Sequence, residues 1–112
     1  MEQRPIERLA RSVSVVGLGT WQLGADWGTV PPQAAHAVLD AAVAEGVTFF
    51  DTADAYGDGR SEQFCGELRA RHPDLFIATK MGRRVEQLPE NYNREAFSAW
   101  NERSRANLGV QR

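Results

Sequence analysis

A chain of 112 residues is long enough for one domain at most. Its apolar fraction of 42% and charged fraction of 25% are typical of a globular protein, and a net charge of −2 gives no reason to expect nucleic acid or an anionic membrane as a partner. The single cysteine excludes an internal disulfide framework, and no Cys/His cluster suggests a metal site. The sequence has neither a membrane-length apolar segment nor the apolar core of a signal peptide, so we expect a cytoplasmic protein.

The first segment alternates apolar and polar residues. Residues 6–16 predict a short hairpin or capping strand, and residues 15–21 continue as the first candidate for a buried strand. Gly17 and Gly19 fit the first two positions of a dinucleotide-binding glycine fingerprint, but Gln22 stands where the third glycine should be. We therefore favour a strand exit followed by a loop over a nucleotide-binding turn.

A first helix is predicted after this loop. Pro31 and Pro32 favour its start, because the first helical N–H has no partner within the helix. Apolar residues then recur at helical spacing, at Ala35, Val38, Leu39, Ala42 and Val43. Gly46 is a typical helix end. His36 falls on the opposite, polar face, and we expect it to be a solvated residue rather than a ligand or base.

The second strand is an apolar run, Val47 to Phe50, that stops at the carboxylate of Asp51. A loop over residues 52–60 follows, and Ser61 is a candidate N-cap for a second helix with Glu62 in its first turn. The apolar side of this helix consists of Phe64, Cys65 and Leu68. We expect the cysteine to be a small packed side chain rather than a nucleophile.

Residues 75–79 predict a third strand that ends at Lys80. The loop over residues 81–92 contains Arg83 and Arg84, which we interpret as a solvated pair rather than a phosphate site. A third helix is predicted after this loop, with Asn93 as its N-cap and Gly109 as its end. Its apolar stripe consists of Phe97, Trp100 and Leu108.

Helices thus alternate with nearly continuous apolar strands, in the order βαβαβα after a small cap, so the sheet is expected to be parallel. Two architectures use this unit, the open doubly wound sheet and the eight-stranded barrel, and in both the chemistry gathers at the carboxyl ends of strands. Asp51 and Lys80 both stand at such ends. Because neighbouring parallel strands lie about 5 Å apart, these two side chains are within reach of an ion pair.

Tyr56, five residues beyond Asp51, adds a phenol to this pair. A phenol does not exchange its proton readily at neutral pH, and a neighbouring ammonium favours the phenolate. With the carboxylate holding Lys80 charged and in place, the three groups predict a general acid that protonates a developing alkoxide. Such an acid suits carbonyl reduction by a hydride-donating cofactor. The alternative is a structural Asp51–Lys80 ion pair beside an ordinary loop tyrosine.

Three motifs stand at these strand ends: Gly17-Leu18-Gly19-Thr20-Trp21, then Asp51-Thr52-Ala53-Asp54-Ala55-Tyr56-Gly57 followed by Ser61-Glu62, then Ala78-Thr79-Lys80. In this order they resemble the N-terminal third of the aldo/keto reductase family, over about Arg8 to Arg112. The resemblance implies an α/β fold, namely a partial (β/α)8 TIM barrel with an N-terminal hairpin cap and about three βα units. Residues 1–112 would then be the N-terminal fragment of a single barrel domain. NADPH is the implied cofactor, with NADH not excluded, and the implied substrate is a small-molecule carbonyl.

The resemblance also implies roles for individual residues. Tyr56 resembles the general acid, Lys80 the residue that assists its proton transfer, and Asp51 the carboxylate paired with that lysine. Asp51 also matches a contact to the cofactor. The cofactor-binding residues implied in the first loop are Gly19, Thr20 and Trp21.

The family's catalytic histidine follows the fourth barrel strand, and the sequence ends before such a strand. A complete barrel needs roughly 250 residues. We therefore expect an NAD(P)H-dependent oxidoreductase that reduces aldehydes and ketones in the intact protein. The alternative is a truncated, non-catalytic barrel fragment or a regulatory or binding subunit. These motifs fix neither the particular carbonyl substrate nor the oligomeric state.

Overall fold

The computed structural model describes residues 1–25 and 27–111. Within them the chain forms an N-terminal hairpin, a three-stranded sheet and three α-helices. The hairpin pairs β1 (Gln3–Ile6) antiparallel to β2 (Arg11–Ser14). The predicted capping hairpin is confirmed, but it begins at residue 3 rather than residue 6 and its strands end at residue 14.

The residues after the hairpin correct the predicted first strand of the sheet. Val15 and Val16 are 44% and 54% exposed and lie outside any strand, so only β3 (Leu18–Gly19) remains of the buried strand expected over residues 15–21. The reason is a local turn: the Ser14 hydroxyl donates to the Val16 carbonyl at 2.7 Å. This hydrogen bond bends the chain before it enters the sheet.

The sheet is parallel, as predicted. Its other strands are β4 (Phe49–Asp51) and β5 (Phe76–Ala78), and the strand order is β3-β4-β5. The register aligns Gly19 with Asp51 and Asp51 with Ala78. The carboxyl ends of the three strands therefore meet at one edge of the sheet.

Three helices follow the strands: α1 (Pro32–Ala44), α2 (Arg60–Arg71) and α3 (Arg94–Leu108). Short 3-10 turns occur at Glu7–Leu9, Trp21–Gly24 and Pro89–Asn91. The predicted helix ends are confirmed at Gly46 and Gly109, which have φ angles of 87° and 66°. These left-handed conformations, favoured by glycine, let the chain leave α1 and α3 without strain.

One apolar cluster joins the helices to the sheet, and its buried members are Leu23, Ala35, Leu39, Val47, Phe50, Phe64, Leu68 and Leu75. Two residues predicted to be buried are exposed instead. Val38 on α1 is 48% exposed, because the buried stripe of that helix is narrow and centred on Ala35 and Leu39. Phe97 on α3 is 44% exposed, and its ring lies edge-on to that of Trp100 at 5.5 Å.

His36, predicted to be a solvated residue, is only partly solvated, because its side chain is 35% exposed and also contacts a second helix. Its Nε2 is 3.1 Å from a carboxylate oxygen of Glu67, and its ring meets the Phe64 ring edge-on at 5.3 Å. Both partners belong to α2. The histidine is therefore part of the contact between α1 and α2.

The two faces of the sheet differ. Phe50 is fully buried in the apolar cluster, while Phe49, the residue before it in β4, points to the other face and meets the Phe76 ring at 5.6 Å. Within the described residues, β3 and β5 are each paired on one side only. Within the described residues, the sheet is therefore open at both edges.

Candidate active site

An ion pair joins the carboxyl ends of β4 and β5. The Lys80 ammonium donates hydrogen bonds to Asp51 Oδ2 and to the Thr52 carbonyl, both at 2.8 Å. The two side chains of the ion pair are each 48% exposed. The strand register produces this contact, because Asp51 pairs with Ala78, two residues before Lys80.

Opposing effects act on the pKa of Lys80. Partial desolvation lowers it, but the hydrogen bond and the charge of Asp51 raise it, with smaller contributions from Tyr56. The net result is a raised pKa. Lys80 therefore remains an ammonium at neutral pH and above.

Tyr56 lies beside this ion pair on the loop that follows β4. The Lys80 Nζ is 5.2 Å from the centroid of the Tyr56 ring, and the Trp21 ring stacks against the same tyrosine at 6.2 Å. A cavity of about 480 Å³ opens here, lined by Trp21, Ala53, Asp54, Ala55, Tyr56, Lys80, Met81 and Arg83. The structure thus brings the acid, the phenol and the ammonium of the sequence prediction together. Tyr56 and Lys80 line the cavity, and Asp51 lies beside it as the ion-pair partner of Lys80.

The backbones of two loops approach each other closely beneath this cavity. A Cβ atom added to Gly24 would lie 2.5 Å from the Gly57 nitrogen and 2.6 Å from the Tyr56 carbonyl carbon. No side chain fits in that space. Because Gly24 has no Cβ, the Trp21–Gly24 turn can lie in direct backbone contact with the loop that carries Tyr56.

Arg60, the first residue of α2, holds the same turn from the other side. Its guanidinium donates to the Leu23 carbonyl at 2.9 Å and to the Val30 carbonyl, and it lies over the Phe64 ring at 4.9 Å. The sequence did not indicate this role of Arg60, because an arginine at a helix start carries no information about which distant carbonyl groups it will bind.

Thr20 and Gly19 lie outside the cavity lining. Thr20 is 1% exposed, and its backbone N–H and hydroxyl both donate to the Asp51 carbonyl, at 2.9 and 3.0 Å. Gly19 pairs with Asp51 in the sheet, and a Cβ there would meet no atom within 4 Å. Of the three first-loop residues implied by the resemblance, Trp21 is the one that lines the cavity.

Ser61 is not the N-cap of α2, so that prediction is wrong. The helix begins at Arg60 after Gly59, and the Ser61 hydroxyl is fully buried. It donates to Thr20, whose hydroxyl oxygen lies at 2.8 Å and whose carbonyl oxygen lies at 2.9 Å. Ser61 therefore ties α2 to the end of β3, because the first turn of the helix points inward.

Cys65 lies in the same buried region, as predicted for a packed residue. Burial raises the pKa of its thiol to about 11, against smaller opposing hydrogen bonds with Thr20 and Thr52. The thiol is therefore protonated at neutral pH, which is unlike a reactive cysteine.

Two buried carboxyl groups next to the site were not recognised from the sequence. Glu62 is fully buried and accepts hydrogen bonds from the Thr79 hydroxyl at 2.6 Å and the Asn107 amide at 2.9 Å. Asp54 is 1% exposed, and among the described residues neither of its oxygens has a hydrogen-bond partner of good geometry. Burial raises the pKa of Asp54, the charge of Glu62 adds to the effect, and Arg84 and Arg103 partly oppose it.

Arg83 and Arg84, predicted to be a solvated pair, have different surroundings in the structure. Arg84 Nε lies 2.8 Å from Asp58 Oδ1, and Arg103 of α3 lies 3.1 Å from the same oxygen. The hydrogen bond and charge of Arg84 lower the pKa of Asp58, and Arg103 contributes further. Arg83 instead lines the cavity. Arg84 is exposed, as predicted, but it also links the Tyr56 loop to the loop after β5 through this ion pair.

Residues 1–25 and 27–111 contain no group of three or more metal-ligating side chains placed to hold an ion. In the same part of the chain, none of the helices has the length and apolar character that crossing a membrane requires.

A parallel sheet of barrel type with acid, phenol and ammonium groups at its strand ends is typical of the barrel enzymes. The chain belongs to the aldo/keto reductase family, whose family model matches residues 15–112. This confirms the family indicated by the three sequence motifs.

Individual relatives agree with this assignment. The chain is 37% identical over 83 residues to pyridoxal 4-dehydrogenase of Microbacterium luteolum, which covers 73% of this chain and 24% of that protein. An aldo-keto reductase from Bacillus halodurans in its holo form matches the structure with a TM-score of 0.78 and 30% identity, over 98% of this chain and 37% of that one. An aldo-keto reductase from Klebsiella pneumoniae in complex with NADPH matches with a TM-score of 0.75 and 25% identity, over the same shares of the two chains.

These matches confirm the predicted fold, a partial TIM barrel that is not closed. The chain spans about a quarter of the length of the curated relative and somewhat more than a third of the solved chains.

Proposed function

We propose that the intact protein is an NADPH-dependent oxidoreductase that reduces aldehyde and ketone carbonyls to alcohols, and that residues 1–112 form the N-terminal part of its single barrel domain. The observation that carries this proposal is the position of the Lys80 ammonium, held by Asp51 at 2.8 Å and lying 5.2 Å from the Tyr56 ring at the edge of a cavity. The NADPH complex of the Klebsiella relative supports the choice of cofactor. NADH is the competing cofactor, and the two KM values would decide between them.

Residues in the cavity lining and next to it suit such a cofactor. The exposed Trp21 indole offers a flat surface beside Tyr56, and the half-exposed Asp51 carboxylate is an acceptor for a ribose hydroxyl. Gly19 leaves open space at the end of β3, and Thr20 fixes the start of the Trp21 turn on the Asp51 carbonyl. When bound, the nicotinamide supplies the hydride that adds to the carbonyl carbon.

Tyr56 then acts as the general acid. Its hydroxyl proton passes to the carbonyl oxygen as negative charge develops there, which leaves a phenolate and the product alcohol. The Lys80 ammonium stabilises that phenolate, and Asp51 together with the Thr52 carbonyl keeps the ammonium in place. Solvent at the cavity mouth returns the proton to Tyr56 before the next cycle.

Replacement of the proposed acid tests this mechanism. In the full-length protein, Tyr56→Phe is expected to lower kcat/KM for 4-nitrobenzaldehyde by at least about 100-fold, because general acid catalysis contributes factors of that size. The NADPH dissociation constant should remain essentially unchanged. Tyr92→Phe is the matched control, since Tyr92 donates to the Gly82 carbonyl outside the cavity lining. Retained turnover in Tyr56→Phe would contradict the assignment.

A second candidate is a non-catalytic binding or regulatory subunit. The observation that favours it is the pair of edge strands, β3 and β5, each bonded on one side only within the described residues. Rapid oxidation of NADPH with 4-nitrobenzaldehyde favours the reductase, while NADPH binding without any turnover favours the second candidate.

A further inference from the structure

We propose that Arg83 makes the cavity selective for flat carbonyl substrates that carry an anionic group, a carboxylate or a phosphate. The proposal rests on the proposed function and adds a substrate class to it. It is carried by two features of the same cavity, an aromatic wall and a guanidinium that no other described residue neutralises.

One side of the cavity is rich in aromatic rings. The rings of Trp21 and Tyr56 are stacked with an angle of 25° between their planes, and Trp27 meets Trp21 edge-on at 4.5 Å. Met81, also exposed, extends the apolar surface next to Lys80. A planar ring fits such a wall better than a bulky aliphatic group, because aromatic rings gain most in offset or edge contacts.

Among the described residues, the basic side chains around the cavity are paired with acidic groups except at one position. Asp54 also lines the cavity without a hydrogen-bond partner of good geometry, and burial raises the pKa of its carboxyl group. Lys80 is paired with Asp51, and Arg84 is paired with Asp58. Arg83 also lines the cavity, is exposed, and has neither an ion pair nor a hydrogen bond from its side chain among residues 1–25 and 27–111. A guanidinium presents N–H groups in a planar fork that suits the two oxygens of a carboxylate or phosphate.

The anion recognised by Arg83 could belong to the carbonyl substrate or to the phosphates of the cofactor. The position of Arg83 favours the substrate, because it stands three residues after Lys80 and lines the same cavity as Tyr56, where the carbonyl must be protonated. Binding measurements with substrate analogues and with NADPH separate the two sources.

The first experiment measures binding without turnover. Trp21 lies in the cavity wall and Trp27 touches it, so tryptophan fluorescence of the full-length protein reports ligand binding there. The two probes are 4-(hydroxymethyl)benzoate and its neutral isostere 4-(hydroxymethyl)benzamide. The benzoate should bind about five-fold more tightly at low salt, which is typical of one solvent-exposed ion pair, and the preference should shrink as salt is added.

Arg83→Gln should remove this preference and leave binding of the benzamide and of NADPH unchanged. Arg94→Gln is the matched control, because it removes the same charge from an exposed position at the start of α3 outside the cavity lining. Three results would overturn the proposal: no preference in the unsubstituted protein, an equal loss of preference in Arg94→Gln, or weaker NADPH binding as the main effect of Arg83→Gln.

Kinetics provide the second readout. For 4-formylbenzoate compared with 4-formylbenzamide, Arg83→Gln should lower the ratio of kcat/KM values about five-fold, mainly through KM, since the contact is remote from the reacting carbonyl. Tyr56→Phe should abolish turnover of both aldehydes yet keep the binding preference for the benzoate probe. Retained turnover in Tyr56→Phe would therefore refute the mechanism without refuting the role of Arg83.

Discussion

At the scale of single residues, the site is defined by which charges are paired and which are buried. Lys80 and Asp51 neutralise each other at the rim of the cavity, and Asp58 is held by two arginines at the surface. Asp54 differs from these, because its carboxyl group is buried two residues before Tyr56 without a hydrogen-bond partner of good geometry among the described residues. Its ionisation therefore opposes the folded state.

The raised pKa of Asp54 predicts how stability depends on pH. Between the ordinary carboxyl pKa of 3.8 and the raised native pKa, the folded protein binds more protons than the unfolded chain, so the contribution of this group to stability is lost as the pH rises through that window. Asp54→Asn removes this titration. In urea unfolding of the full-length protein from pH 4 to neutrality, the variant should lose less stability than the unsubstituted protein.

Asp58→Asn is the control, because the contribution of Asp58 to stability depends on pH in the opposite direction. The pKa of Asp58 is lowered, so its contribution is present above the unfolded value and is lost as the pH falls through the native one. This variant should weaken the protein near neutrality and converge with the unsubstituted protein in acid. Identical pH slopes in the Asp54→Asn variant and the unsubstituted protein would contradict the inferred effect of Asp54.

At the scale of elements, the site depends on the contact between two loops rather than on a helix or strand. The Trp21–Gly24 turn lies against the backbone of Tyr56 and Gly57. The Arg60 guanidinium of α2 donates a hydrogen bond to the Leu23 carbonyl of this turn. Trp21 and Tyr56 thus reach the cavity on separate segments that are packed backbone to backbone. Both segments contribute to the lining of the cavity.

A methyl group at this contact should disturb both stability and the site. Gly24→Ala would place a Cβ 2.5 Å from a backbone nitrogen that cannot move aside freely, so we expect destabilisation of about 1–3 kcal/mol. Thermal unfolding of the full-length protein measures the effect, and altered tryptophan fluorescence would report displacement of Trp21. Gly19→Ala is the stability control, because its Cβ would meet no atom within 4 Å. Equal melting temperatures for both variants would contradict the importance of the contact.

At the scale of the whole molecule, the sheet has two unpaired edges. β3 and β5 each present one row of backbone groups without a strand partner among the described residues, and the strands themselves are short. Open edges of this kind pair with other chains unless they are covered. The 112-residue polypeptide by itself therefore has less protection against association than a closed barrel.

We accordingly expect the isolated 112-residue polypeptide to be marginally stable and either self-associating or partly molten. Light scattering coupled to size-exclusion chromatography at micromolar concentration measures its association, and near-ultraviolet circular dichroism measures its fixed packing. A monomer with a single cooperative unfolding transition would contradict this expectation. A sharp increase in stability on adding a segment that pairs with β5 would support it.

The sequence determined the order of the elements and most of the helix ends. Helical spacing from Ala35 to Val43, the stops at Gly46 and Gly109 and the cap at Asn93 act over a few neighbouring residues, so local chemistry is sufficient to predict them. The ion pair of Asp51 and Lys80 was also predictable, since both follow apolar runs that must lie side by side in a parallel sheet.

Only the tertiary structure decided what each remaining polar residue contacts. Ser61 and Glu62 point inward because the first turn of α2 packs on the ends of β3 and β5, and nothing in their local sequence indicates those neighbours. Arg83 and Arg84 are adjacent in sequence, yet Arg83 lines the cavity whereas Arg84 forms an ion pair with Asp58. Local periodicity fixes the direction of a side chain relative to its own element, whereas its partner depends on the packing of elements distant in sequence.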